Sequence, residues 1–197
     1  MGIRIYKDAA LAEPLSSGDG TRPDSDVYDG MHGEARDRQL YLANEHATLA
    51  EALGSSGTTL VLEIPAFANG ETIIVDAEQM KVLAGSGTAM LTVERGYAGA
   101  APAAHVVGSI AWSGYDYTDV SVGVIDASGA DETAWYRFAT AQAALDAATP
   151  GASISVGDKP CLETLTIWRR CAVPGGTPVQ NKADLRIRVT GVEYPLS

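Results

Sequence analysis

Apolar and polar residues trade places at every second position along much of this chain, the period of a β-strand with one face on a core and the other on water or a partner. Ile3 and Ile5 face one way, Arg4 and Tyr6 the other. Leu40 and Leu42 flank Tyr41, and Leu60, Leu62 and Ile64 alternate with Val61 and Glu63. Val120, Val122 and Val124 alternate with Ser121 and Gly123. Near the end, Leu165 and Ile167 alternate with Thr164, Thr166 and Trp168, and Leu185, Ile187 and Val189 with Arg186, Arg188 and Thr190. Between these runs lie Gly18-Asp19-Gly20, Asp29-Gly30, Asn69-Gly70, Gly85-Ser86-Gly87 and Gly175-Gly176, which supply the backbone freedom of tight turns.

Many short strands with turn signals between them predict a mainly β protein of the sandwich or barrel kind. The block from Thr59 to Trp112 is the densest in strands and turns. It reads as a small β-barrel, residues 59–112, inserted into a β-sandwich formed by residues 1–58 and 113–197. The chain returns to the sandwich at Gly114-Tyr115-Asp116-Tyr117. A tandem of two domains split near residue 113 is the other division the pattern allows. Two alanine- and leucine-rich stretches, Asn44 to Leu53 and Thr140 to Ala148, favour helix by intrinsic propensity, although both are short for one.

The 197 residues are 46% hydrophobic and 20% charged, enough to bury a sizeable core. With 14 basic and 25 acidic residues the formal net charge is -11, and no basic stripe is present to neutralise phosphates, so nucleic acid is not an expected partner. The N-terminus lacks the apolar core of a signal peptide, and no apolar run approaches the ~20 residues that span a bilayer, so no membrane is expected either. If the residues between Cys161 and Cys171 form one strand, the two thiols lie about 33 Å apart, too far for a disulfide. Both read as small, partly buried apolar residues.

One block carries a family resemblance. Ile73-Ile74-Val75-Asp76-Ala77-Glu78-Gln79-Met80-Lys81-Val82, then Leu91-Thr92-Val93-Glu94-Arg95-Gly96, then Gly99 and Ala103-Ala104-His105-Val106-Val107-Gly108, resembles a module of tailed-bacteriophage virion proteins. That module reads I-D-x-E-x-M-x-V, L-T-V-x-R-G and G-T-x-A-x-x-H-x-x-G, and this chain has Ala100 where threonine is usual. The match covers about a fifth of the chain. The flanks are similar to immunoglobulin-like sandwiches of phage particles, through Arg38-Gln39-Leu40-Tyr41-Leu42-Ala43-Asn44 and the stretch from Thr166 to Asn181. The resemblance implies an immunoglobulin-like sandwich interrupted by the barrel, in a virion structural protein of the tail or baseplate. Such a protein is made in the host cytoplasm and bridges other virion proteins (tail tube, baseplate hub or neighbouring copies) in a homo-oligomeric ring. A capsid decoration protein and a carbohydrate-binding host-attachment module are the alternatives.

Within the motif, Gly96, Gly99 and Gly108 suit tight turns. Arg95 suits a brace to backbone carbonyls or to Glu78, and His105 suits a lock on its loop through backbone hydrogen bonds. Asp76 and Glu78, two apart on an expected strand, share a face and could serve acid–base chemistry, but no activating neighbour accompanies them, and a solvated or arginine-paired face is the expected reading. The acidic run around Asp19, Asp24, Asp26 and Asp29 offers oxygens to calcium but lacks the order of an EF-hand loop. His32, His46 and His105 share no metal-ligand spacing, and no nucleophile elbow or phosphate-binding loop occurs. No catalytic residue, cofactor or metal is therefore expected. Tyr115, Tyr117, Trp135 and Tyr136 are the aromatics a glycan site would use. Arg169, Arg170, Arg186 and Arg188 read either as protein-interface residues, because arginine pairs bidentately with carboxylates on a partner, or as an ordinary solvated strand face.

Overall fold

The computed structural model describes residues 2–15, 26–127, 129–180 and 184–196. It is mainly β. Strands β1 (Ile3–Tyr6), β2 (Glu34–Asn44), β12 (Leu165–Val173) and β10 (Tyr136–Ala139) form one sheet in the order β1-β2-β12-β10. A second sheet has the order β11-β9-β13, from β11 (Ile154–Lys159), β9 (Tyr115–Asp126) and β13 (Leu185–Pro195). A shared core of Leu40, Leu42, Tyr117, Val120, Val122, Phe138 and Ile167 is drawn from both sheets, so they face each other as the layers of a sandwich. The alternation seen in the sequence is this packing: Val120 and Val122 point inward from β9, and Ile187 and Val189 point inward from β13.

The remaining strands form one six-stranded antiparallel sheet. These are β3 (His46–Thr48), β4 (Thr59–Val61), β5 (Thr72–Val75), β6 (Glu78–Ala84), β7 (Met90–Glu94) and β8 (Ile110–Ser113), in the order β3-β8-β5-β6-β7-β4. Its two end strands meet: Leu49 bridges to Leu62, the Ala50 amide donates to the Val61 carbonyl at 2.9 Å, and the Glu63 amide to the Thr48 carbonyl at 2.9 Å. The sheet thus curls onto itself around Leu49, Leu60, Leu62, Ile73, Val75, Met80, Val82, Leu91, Val93 and Ala111. The chain leaves the sandwich after β2, builds this module and returns at β9.

Four expectations change. The curled sheet starts at His46 rather than at residue 59, because β3 pairs with β8. The stretch from Asn44 to Leu53 is not helical: Ala47 and Leu49, two apart, are buried in the core, and ladder hydrogen bonds and packing outweigh the small helix preference of alanine and leucine. From Thr140 to Ala148 there is a single 3-10 turn, Gln142–Ala144, followed by the buried Leu145. The strand expected to run through Ile64 ends at Val61, and Ile64 is exposed. No helix among the described residues is long and apolar enough to cross a membrane.

The β6–β7 hairpin turns at Gly85, where φ is +100° and a Cβ would lie 2.2 Å from the Met90 carbonyl oxygen. Both the backbone angle and the space forbid a side chain. Gly85→Ala is expected to lower stability by at least about 1 kcal/mol, read as a lower thermal midpoint. An unchanged midpoint would show that the hairpin tolerates another turn.

Candidate functional site

The resemblance residues converge on one buried ionic cluster at an end of the curled sheet. Glu78 opens β6 and lies on the inward face with Met80 and Val82, where its side chain is 1% exposed. Arg95 follows β7, and its guanidinium grips Glu78 with two bonds, Nε to Oε1 and Nη2 to Oε2, both 2.7 Å. The same guanidinium donates to the carbonyls of Gly54 at 2.8 Å and Gly57 at 2.7 Å, and to that of Ala103. Glu78 also accepts from the Gly96 amide at 3.1 Å and the Ala103 amide at 2.9 Å. Three stretches of loop are thus tied to one carboxylate. Burial alone would push the Glu78 carboxyl up, but Arg95, the Ala103 amide, His105 and the Gly96 amide outweigh it and hold it at about 2.

His105 completes the cluster, in a different way from the one its sequence context suggests. Its backbone exchanges hydrogen bonds with Leu53, but its ring meets carboxylates: Nδ1 lies 2.7 Å from Asp76 Oδ2 and Nε2 2.9 Å from Glu78 Oε2. An ionised carboxylate only accepts, so satisfying both contacts requires the ring to donate from both nitrogens. Asp76 is not on a strand. It occupies the two-residue turn between β5 and β6 with φ 54°, and its side chain stays 62% exposed. Gly96 and Gly99 have positive φ (63° and 85°) flanking the loop that Arg95 holds, and Gly108 has φ 87° in the turn before β8. Both carboxylate oxygens of Glu78 are occupied, and this arrangement braces loops.

The other expected site residues are scattered. Arg169 is 2% exposed, on the same inward face of β12 as Ile167, so it is not a surface contact as expected. Its guanidinium donates to the Tyr28 hydroxyl at 3.0 Å and to Asp26 at 3.2 Å, and lies 5.7 Å from the Tyr136 ring centre. Arg170 points outward but is engaged within the chain by two bonds to Asp37, 2.6 and 2.9 Å, and by Asp146. Arg186 and Arg188 are exposed on β13. Of the acidic run, residues 19–25 lie outside the described residues. Asp26 is held by Arg38 and Arg169, and the half-exposed Asp29 by the His32 ring and two amides. The three histidines stay apart: His46 stacks on Trp112 with ring centres 4.7 Å apart and meets the Tyr6 hydroxyl, while His32 lies at the surface. Among the described residues no group of three or more His, Cys, Asp or Glu is arranged to hold a metal ion. Of the four candidate glycan-binding aromatics, Tyr117 is buried in the sandwich core, and Tyr115 and Tyr136 are partly buried against it.

Sequence reading missed a second polar cluster, where the chain crosses between the sandwich and the curled sheet. Lys159 is fully buried at the end of β11, and its ammonium donates to Asn44 Oδ1, to the Pro160 carbonyl at 3.2 Å and to the Cys161 carbonyl at 3.4 Å. Asn44 Nδ2 in turn donates to the carbonyls of Ser113 at 2.6 Å and Tyr115 at 2.8 Å. Burial pushes Lys159 down to about 8, against the opposing pull of Cys161, Asp116 and Glu163. Burial also pushes the Cys161 thiol up, and both cysteines are free and buried. Comparison with protein-family models, with curated proteins and with solved structures found no match to this chain.

Proposed function

We propose that this chain is a structural subunit of a tailed-phage virion, a tail or baseplate protein that bridges neighbouring subunits in a ring and works by assembly rather than by catalysis. One observation supports this reading above the others. Five of the residues that carry the resemblance (Asp76, Glu78, Arg95, Gly96 and His105) meet in a single brace around the buried Glu78 carboxylate. A motif whose members are spread over about thirty positions, yet converge to hold loops, is a fold-building motif. In the same reading the sandwich is immunoglobulin-like, and its job is to present faces to partners. The capsid decoration reading uses the same faces. The glycan-binding reading has less support, because Tyr117 is buried in the core and Tyr115 and Tyr136 turn part of their surface to it.

The partner-facing surface in this proposal is the outer face of β13. Arg186 and Arg188 project from it while Ile187 and Val189 fill the core, and the acidic excess of the chain offers complementary charge on a neighbouring copy. Arg186→Glu with Arg188→Glu is expected to weaken self-association at least about tenfold while leaving the circular dichroism spectrum unchanged. Native mass spectrometry across a concentration series checks this. Equal association of the variant and the original chain would remove β13 from the interface, and a chain that stays monomeric and fails to join virion particles would overturn the assembly function itself.

A further inference from the structure

We propose that Lys159 and Asn44 join covalently, the lysine Nζ displacing the side-chain nitrogen of Asn44 to form an intramolecular isopeptide bond. Both side chains are fully buried, and Nζ is in close contact with Asn44 Oδ1, which places it beside the carboxamide carbon. The amide is held in one orientation by its two bonds to Ser113 and Tyr115, so the carbonyl faces the amine and the leaving nitrogen faces away. The three oxygens that Lys159 meets, from Asn44, Pro160 and Cys161, are all neutral. A buried ammonium with only neutral partners is costly, and burial favours the uncharged amine that attacks a carbonyl. Conversion to an amide removes that charge permanently.

The step balances without oxidant, metal or cofactor. The Nζ–Cγ bond forms and the Cγ–Nδ2 bond breaks. A proton passes from Nζ to the departing nitrogen, and amine plus carboxamide become a secondary amide plus one ammonia. The nearby carboxylate of Asp116, whose Oδ1 accepts the Cys161 amide at 2.7 Å, acts on Lys159 through its charge. Fixed geometry in a buried site supplies the high effective concentration such a reaction needs. The bond would join the end of β2 to the end of β11, residues 115 apart, and so staple the two sheets where the curled module leaves the sandwich. For a subunit under mechanical load such a staple restrains the unfolded chain as a disulfide does, with no dependence on redox state.

The test is the intact mass of the denatured full chain, followed by tryptic mapping. The expected result is a mass lower than the sequence mass by one ammonia, with peptides 39–81 and 138–169 recovered as one covalent pair joined through Lys159. Lys159→Met should restore the full mass and release the two peptides. Peptide 39–81 also contains Asn69-Gly70, a pair that loses ammonia on cyclising, so the linked peptides and not the mass alone decide. An unreacted full mass in the original chain, or a loss confined to Asn69 with the two peptides separate, overturns the proposal, and neither reading depends on the variant folding.

Discussion

Arg95→Ala is expected to destabilise the protein by about 3–5 kcal/mol, the range for removing one partner of a buried ion pair. The substitution leaves Glu78 almost fully buried without its bidentate counter-ion and strips a donor from the carbonyls of Gly54, Gly57 and Ala103. Arg95→Lys should recover only part of the loss, since an ammonium cannot span both carboxylate oxygens and three carbonyls at once. Replacing both partners, with Glu78→Gln and Arg95→Met together, should cost less than the sum of the single changes, because no charge is then stranded. Urea unfolding measures all three. A loss below about 1 kcal/mol for Arg95→Ala would show that the cluster is ornament to a barrel held by its apolar core.

Acid should attack the same cluster. Glu78 is held at about 2 against an ordinary value of 4.5, so its ionised form is favoured by the folded state. Its contribution is therefore fully present above the ordinary value and disappears as pH falls from there through about 2. At 1.36 kcal/mol per pH unit the depression corresponds to about 3 kcal/mol. Asp26, held down by Arg169 and Arg38 against its own burial, and Asp37, held down chiefly by Arg170, act in the same sense, so the decisive quantity is a difference. The gap in stability between the original chain and Glu78→Gln should shrink steadily between about pH 5 and about pH 2. A gap that stays constant over that window would mean the carboxyl is not held low.

The two layers and the curled sheet were readable from period-two alternation, because each strand has one apolar face and the core demands it. Strand β9 begins at Tyr115, inside the Gly114–Tyr117 stretch where the pattern predicts a return to the sandwich. The start of the curled sheet was not, because the three-residue strand His46–Thr48 is too short to show a period and sits in an alanine-rich stretch that mimics helix. Arg169 could have been placed from the alternation itself: Leu165, Ile167, Arg169, Cys171 and Val173 share one face of β12, and an arginine on that face must find partners inside. Its hydrogen-bond partners Tyr28 and Asp26 lie more than a hundred positions away, which local spacing cannot reveal. The brace was half legible. Arg95 to Glu78 followed from the motif, but the turn at Asp76 and the ring of His105 between two carboxylates depend on the folding of the β5–β6 hairpin. Lys159 and Asn44 left no local signal at all, because their meeting is created only when the two sheets close on each other.

The most direct measurement of the proposed assembly function is a reconstruction of tailed-phage particles assembled in a host that expresses this chain. The expected result is a chain located in the tail or baseplate, repeated around the axis, burying at least about 1,000 Å² against each neighbour with Arg186 and Arg188 inside the contact. A chain absent from the particle, or present without a protein contact of that size, would contradict it.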